Sequence, residues 1–81
     1  TILTRYGRVN GSYFGNEEDT FAQRSLPRTT DVSQYHKYRL KKDMPAEKAI
    51  IAPWFGQPGG GVQYKISNEV FAEFDEYLQV I

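Results

Sequence analysis

Residues 52–64, with the sequence APWFGQPGGGVQY, constrain the fold more than any other part of the chain. The stretch holds the only Trp, four of the seven glycines and two of the four prolines. Three consecutive glycines cost backbone entropy and bury no side chain, so they add nothing to a hydrophobic core. We therefore predict a loop that approaches another group closely or adopts positive φ angles, and we interpret it as the lip of a ligand site.

The length and composition of the chain exclude several classes of function. Its 81 residues predict one domain, residues 1–81, with a small core. The absence of Cys excludes disulfides and thiolate zinc sites, and a single His cannot build a His-rich metal site, so we expect no metal. The formal net charge of zero argues against nucleic acid as the main partner. No apolar run approaches the ~20 residues needed to span a bilayer, so we expect no membrane insertion.

Charge is unevenly distributed along the chain. Residues 17–19 form an acidic cluster, Glu17, Glu18 and Asp19, which we interpret as a solvated turn. Residues 24–48 carry seven basic side chains against three acidic ones. This basic middle could meet an anionic ligand such as a pyrophosphate, or it could be a solvated strand face.

Hydrophobic patterning predicts several short strands. Alternation of apolar and polar side chains indicates strands over residues 2–6, 35–40 and 62–66, and an apolar run covers residues 49–52. Residues 7–20 are rich in Gly and Asn, so we predict turns there.

The one helix that the sequence predicts is C-terminal. Ser67 or Asn68 can cap it, and an apolar stripe follows at helical spacing: Val70, Phe71, Phe74, Tyr77 and Leu78. Residues 77–81 could instead leave the helix as a short final strand. The predicted fold class is α+β, with short, mostly antiparallel strands and a C-terminal helix.

Four polar residues are candidates for a site, and each has a plainer alternative. Gln63 lies mid-strand just after the glycines, where its amide could bind a ligand or simply face solvent. Arg5 and Arg24 could clamp phosphates bidentately or could pair with acidic side chains. His36 is the only His, and a lone strand His is more often structural than catalytic.

Three aromatic residues lie near these candidates in the sequence. Trp54 and Phe55 directly precede the glycines and could wall a nucleobase or nicotinamide ring, and Tyr6 could do the same from the first strand. Residue chemistry alone predicts a small α+β domain with a glycine-loop ligand site.

Four motifs in the same order give the chain a resemblance to a known family. They are RYG at residues 5–7, FAQRSLP at 21–27, YHKY at 35–38 and APWFGQPGGGVQY at 52–64. Together they resemble the toxin domain typified by the tuberculosis necrotizing toxin, a family of NAD glycohydrolases that includes fungal surface enzymes and bacterial polymorphic toxins. The resemblance extends over essentially the whole chain.

The resemblance implies a fold and an enzymatic activity. It implies an ADP-ribosyltransferase-like core that cleaves NAD to nicotinamide and ADP-ribose, with NAD as substrate and no cofactor. Such toxins are secreted or delivered into a target cell, act in its cytosol and are paired with an immunity protein. We expect this domain to be the C-terminal part of a longer toxin.

The resemblance also implies roles for individual residues. Gln63 matches the family's catalytic Gln, and Arg24 and His36 match further residues linked to activity. Arg5 matches an NAD-contacting arginine, and Tyr6 stands where the family often has Phe beside the nicotinamide. The backbone at Gly60 and Gly61, together with Trp54 and Phe55, would bind substrate.

Two alternative functions and one alternative substrate also fit the sequence. ADP-ribosyl transfer to another molecule and non-catalytic binding of a nucleotide or peptide are the alternatives, and NADP is an alternative substrate. The chain departs from the family pattern in two ways, since helical segments that precede the core in some members are not among these residues, and the loop over residues 7–20 looks idiosyncratic and has no assigned role.

Overall fold

A computed structural model describes all 81 residues as a single antiparallel sheet with two short helices. The six strands are β1 Ile2–Tyr6, β2 Tyr13–Asn16, β3 Tyr35–Leu40, β4 Glu47–Ile50, β5 Val62–Lys65 and β6 Leu78–Val80. Their order across the sheet is β4-β5-β2-β1-β3-β6. The predicted strands over residues 2–6 and 35–40 are confirmed, and β5 ends one residue earlier than predicted.

The register of the strands sorts side chains onto two faces of the sheet. Leu3 lies opposite Tyr38, while its neighbour Thr4 lies opposite Gly15 of β2, and Gly15 in turn lies opposite Gln63 of β5. Directly opposed residues share a face and successive residues alternate. Leu3 and Tyr38 therefore share what we call the helix face, and Thr4, Gly15 and Gln63 share the other, which we call the cleft face.

The helix face carries the core. Seven buried hydrophobic residues form it: Leu3, Phe14, Tyr38, Ile66, Val70, Phe74 and Leu78. Its aromatic rings meet mostly edge to face, with ring centroids 5.4 Å apart for Phe14 and Tyr38 and 5.8 Å apart for Tyr38 and Phe74. This arrangement suits the ring quadrupoles and fills the space between the sheet and the helices.

The C-terminal helix is divided in two, where the sequence predicted one. α1 is Asn68–Ala72 and α2 is Phe74–Tyr77, with Glu73 between them at φ −111° and ψ 33°. The side chain of Ser67 accepts a hydrogen bond from the Val70 amide at 3.3 Å, so the predicted cap is confirmed. The predicted final strand is also present, because the chain leaves α2 directly into β6.

Two strands differ from the predictions made from sequence. β2 lies inside the segment predicted to be turns, because Gly15 and Asn16 resemble a turn signal but pair in the centre of the sheet. β4 begins and ends two residues earlier than the apolar run over 49–52, since pairing with β5 decides its bounds. Neither helix is long enough to cross a membrane.

Candidate active site

A cleft open to solvent lies on the cleft face of the sheet. Ten residues line it: Thr4, Arg5, Tyr6, Tyr13, Phe14, Gly15, Arg24, Leu26, Ile51 and Gln63. The structure thus brings together Gln63, Arg24, Arg5 and Tyr6, which are far apart in the sequence. The lining contains no carboxylate, and the guanidinium of Arg24 lies over Gly15 on this face, so the cleft suits an anionic ligand.

Gln63 presents an unpaired amide to this cleft from the middle of β5. Its Cα partners on the two neighbouring strands are Gly15 and Ala49, both of which have almost no side chain. The half-buried Gln63 amide makes no hydrogen bond within the chain, and no buried polar side-chain atom lacks a partner, so this amide is reached by solvent. Its two donors and its acceptor are therefore available to a ligand.

The guanidinium of Arg24 is buried beside the same strands. A short 3₁₀ turn, Ala22–Arg24, carries the side chain over β1 and β2, where Arg24 is only 8% exposed. Nη2 donates to the Thr4 hydroxyl at 2.6 Å and to the Asn16 carbonyl at 2.7 Å, while Nε donates to the Asp19 carbonyl at 3.2 Å. These neutral acceptors fix the orientation of the guanidinium without neutralising it.

One nitrogen of Arg24 has no partner in the protein. Nη1 makes no hydrogen bond, and since no buried polar side-chain atom is unsatisfied, this nitrogen is reached by solvent. It lies over Gly15, where a Cβ would come within 3.0 Å of it. The only ion pair in the structure joins Lys37 and Glu17, so the alternative that Arg24 pairs with an acidic side chain is not what the structure contains.

Aromatic rings support Arg24 from the side. Its Cζ lies 5.3 Å from the ring centroid of Tyr6 and 5.6 Å from that of Tyr35, distances typical of cation–π contacts. Tyr6 also packs against Tyr35 at 4.8 Å and edge to face against Phe21 at 5.5 Å. Tyr6 therefore forms a rigid aromatic wall of the cleft.

Arg5 borders the cleft as part of β1, but its guanidinium is used elsewhere. Nε donates to the Arg8 carbonyl at 2.8 Å and Nη1 donates to the Tyr13 carbonyl at 3.0 Å. A Cβ on Gly11 would lie 2.0 Å from Nη1, so glycine makes room for these contacts. Burial lowers the pKa of Arg5, although the charge of the nearby Tyr38 opposes this shift. The guanidinium thus organises the loop between β1 and β2.

His36 lies outside the cleft. It is the Cα partner of Arg5 and shares the helix face with it, and its Nε2 hydrogen-bonds the Gly7 carbonyl at 2.9 Å. The Tyr38 hydroxyl donates in a similar way to the Val9 carbonyl. The geometry therefore gives His36 a part in holding residues 7–12, and His36 does not line the cleft.

Three of the four glycines in the 52–64 stretch adopt the positive φ angles that the sequence predicted. Gly59 has φ +69° and Gly60 has φ +92°. The close approach is to the chain itself, because a Cβ on Gly59 would meet the Ile51 carbonyl oxygen at 2.6 Å. A Cβ on Gly60 would enter open space.

Trp54 and Phe55 lie at the exposed tip of the same loop. They are 64% and 56% exposed, and their rings pack edge to face on each other with centroids 5.7 Å apart. Phe55 has φ +53°, an uncommon value for a bulky residue, within a turn closed by Trp54 and Gln57. Neither ring lines the cleft.

Sequence reasoning missed residues that the structure adds to the site. Thr4, Gly15 and Tyr35 contact or adjoin the Arg24 guanidinium, and Asp19 was interpreted as part of a solvated turn although it is half-buried and hydrogen-bonded. Of these residues, only Gly15 was conspicuous in the sequence, as part of a Gly–Asn pair that equally fits a turn. No group of three or more His, Asp or Glu side chains is arranged to hold a metal ion.

Comparisons with known proteins agree with the motifs in the sequence. The family model described as tuberculosis necrotizing toxin matches residues 1–79. The conidial surface nicotinamide adenine dinucleotide glycohydrolase nadA of Aspergillus fumigatus is 33% identical over 95% of this chain and 36% of that protein. The solved structure of tuberculosis necrotizing toxin complexed with its immunity factor matches 96% of this chain and 46% of that chain, with a TM-score of 0.67 and 26% identity. The chain thus spans less than half the length of either relative.

Proposed function

Since the chain belongs to the tuberculosis necrotizing toxin family, we propose that it is an NAD glycohydrolase. It cleaves the bond between nicotinamide and ribose in NAD, giving nicotinamide and ADP-ribose, and it depletes NAD in a target cell. The name of the fungal relative, a nicotinamide adenine dinucleotide glycohydrolase, supports this substrate and reaction. We also propose that the fold is related to that of the ADP-ribosyltransferases.

The observation that carries the proposal is the unpaired amide of Gln63 beside the unneutralised guanidinium of Arg24. Both groups line one cleft that contains no carboxylate. Arg24 offers a free Nη1 donor on a guanidinium already oriented by Thr4 and Asn16. A pyrophosphate is the anionic part of NAD, and arginine recognises phosphate oxygens with its planar set of donors.

The chemistry of the reaction fits a site without a general base. As the bond to nicotinamide breaks, positive charge develops on the ribose, as in the oxocarbenium-like transition states of glycoside hydrolysis. The nicotinamide ring carries a positive charge while it is bonded to the ribose and leaves as a neutral molecule, so its departure needs little acid catalysis. The enzyme must mainly hold the dinucleotide in a reactive orientation.

Each residue of the cleft has a distinct part in this mechanism. Arg24 anchors the phosphates, so binding energy from the far side of the substrate orients the bond to be cleaved. The Gln63 amide hydrogen-bonds the ribose hydroxyls or positions the attacking water; being neutral, it cannot act as a general base. Tyr6 provides the apolar wall for the nicotinamide ring.

The remaining predicted residues have smaller parts in the proposal. Arg5 supports the cleft from β1 while its guanidinium holds the adjacent loop. The proposal uses neither His36 nor the loop-tip rings of Trp54 and Phe55 as groups that touch the reacting atoms, because none of the three lines the cleft. The backbone at Gly60 and Gly61 stays a predicted contact.

The biological setting follows the same family. We propose that the protein is secreted or delivered into a target cell and acts in its cytosol. The name of the structural relative, a toxin complexed with its immunity factor, supports a cognate immunity protein as partner.

Release of nicotinamide from NAD by the purified 81-residue chain tests the proposal. We expect free nicotinamide and free ADP-ribose in equal amounts. Isotope-labelled NAD separates the rivals, because a transferase would attach the label to protein, and a binding module would bind NAD without releasing nicotinamide. The cleft contains no Glu that could act near the ribose, which favours hydrolysis over transfer.

A further inference from the structure

Asp19 contacts both halves of the site. Its carboxylate Oδ2 accepts a hydrogen bond from the Val62 amide at 2.8 Å, and Val62 directly precedes Gln63. Its backbone carbonyl accepts a hydrogen bond from Nε of Arg24 at 3.2 Å. A single half-buried residue is thus bonded to the guanidinium and to the strand that carries the amide.

Three other hydrogen bonds join the same two segments, and all have neutral acceptors. The Gly59 amide donates to the Ala22 carbonyl at 3.3 Å and the Gly61 amide to the Gln23 carbonyl at 3.0 Å, while the Ser25 hydroxyl donates to the Ala52 carbonyl at 2.7 Å. The Asp19 contact differs because its acceptor is a carboxylate, and such hydrogen bonds are stronger than neutral ones.

Glycine at position 61 is what permits this contact. A Cβ there would lie 2.9 Å from the Asp19 Oδ2 and 2.9 Å from the Gln23 carbonyl oxygen. The side chain would therefore push the carboxylate away from the Val62 amide. This accounts for one of the three consecutive glycines by a contact within the site.

The placement of the Asp19 charge also preserves the charge of Arg24. The carboxylate binds a backbone amide and forms no ion pair with the guanidinium, which receives only the neutral carbonyl of the same residue. We propose that Asp19 is a positioning residue that sets the spacing between Arg24 and Gln63, a role that rests on the NAD glycohydrolase function proposed above.

The first test reports on the surroundings of both groups and does not depend on activity. Nuclear magnetic resonance of the 81-residue chain resolves the Arg24 Nε–H, the Gln63 side-chain amide and the exchange of the Val62 amide. We expect Asp19→Ala to move the first two signals and to speed Val62 exchange about tenfold or more, the scale of a lost hydrogen bond to a charged acceptor. Glu18→Ala, an exposed neighbour without hydrogen bonds, is the matched control and should move none of them.

Unmoved Arg24 and Gln63 signals in the Asp19→Ala protein would overturn the proposal. A wild-type chain that releases no nicotinamide would refute the proposed function and would leave this resonance test decisive for Asp19. If Asp19→Ala does not fold, Asp19→Glu is measured in its place. It displaces the carboxylate by one methylene, and the expected results are the same.

The second test is a double-mutant cycle on nicotinamide release. Asp19→Ala should lower kcat about tenfold or more and should have no further effect when Gln63 is already Ala, because coupled residues are non-additive. Asp19→Asn should recover most of the rate, since its amide oxygen can still accept from Val62. An equal loss in both backgrounds would indicate a merely structural role and would also overturn the proposal.

Discussion

Arg24 is buried and Arg5 is half-buried, and both contact the β1–β2 region, yet their guanidinium groups have different roles. Arg24 lies on the cleft face with one nitrogen that no protein group satisfies. Arg5 lies on the helix face, where it donates to the Arg8 carbonyl in the loop after β1 and to the Tyr13 carbonyl at the start of β2. In the sequence, both are candidates for clamping phosphates, and each lies within a motif that resembles the family.

The difference extends to the whole of each face. On the cleft face, Gln63 and Arg24 have donors and acceptors left over. On the helix face, Arg5, His36 and Tyr38 all bind carbonyls of residues 7–13. Hydrogen-bonding capacity that the fold does not use therefore distinguishes the candidate site residues where residue identity alone does not.

Replacing the amide of Gln63 tests the cleft face most severely. We expect Gln63→Ala to lower nicotinamide release by about 10²-fold or more, the scale of losing a key polar contact in the transition state. The melting temperature should change little, since the amide makes no hydrogen bond within the fold. Gln79→Ala, on the edge strand β6, is the control, and wild-type turnover in the Gln63 variant would remove this residue from the mechanism.

Changing Arg24 to Lys asks whether its planar set of donors matters beyond its charge. Lys keeps the positive charge but cannot reproduce the contacts to Thr4, Asn16 and Asp19 together with a free donor, so we expect KM for NAD to rise about tenfold. Steady-state kinetics measure the effect, with the exposed Arg28→Lys as control. An unchanged KM and kcat would contradict a phosphate clamp.

Removing the imidazole of His36 tests the helix face. His36→Ala loses the hydrogen bond to the Gly7 carbonyl, which should cost about 1 kcal/mol of unfolding free energy. Turnover per folded molecule should stay within about twofold, because the ring does not line the cleft. Urea unfolding and nicotinamide release measure the two effects, and a 10²-fold loss of turnover with an intact fold would return His36 to the active site.

Alkaline pH should weaken the helix face through Tyr38. Burial raises the pKa of Tyr38 above its ordinary 10.0, while the charge of Arg5 acts in the opposite direction. Because the raised pKa means that the folded state favours the neutral phenol, the stabilisation is complete below pH 10.0 and is lost as pH rises through the folded pKa. Unfolding free energies measured in Tyr38→Phe should fall less steeply over this range than those of the wild type.

Local patterning predicted much of the sheet because strand alternation is written in neighbouring residues. The strands β1 and β3 and the cap at Ser67 follow from local chemistry alone. β2 could not be predicted, because Gly15 weakens a strand and its value lies in the space it leaves for Arg24, which is nine positions away in the sequence. The break at Glu73 is equally invisible, since the apolar stripe continues through it.

Only part of the candidate site could be predicted from the sequence, because contacts between distant segments are not visible in neighbouring residues. Motifs selected Gln63, Arg24 and Tyr6, and the fold brings these three together in one cleft. The same motifs selected His36 and Trp54, which the fold directs elsewhere, because a motif reports that a residue matters without reporting which face it occupies. The sequence does not separate Asp19 from its acidic neighbour Glu18. Only the folded structure distinguishes it, through its hydrogen bonds with Arg24 and Val62.

The strand order β4-β5-β2-β1-β3-β6 has a consequence for how the cleft is assembled. β5 lies beside β2 in the sheet although the two strands are far apart in the sequence, and pairings between such distant segments form slowly. A chain in which β5 has not yet docked on β2 therefore contains no complete cleft, because the amide of Gln63 arrives only with that pairing.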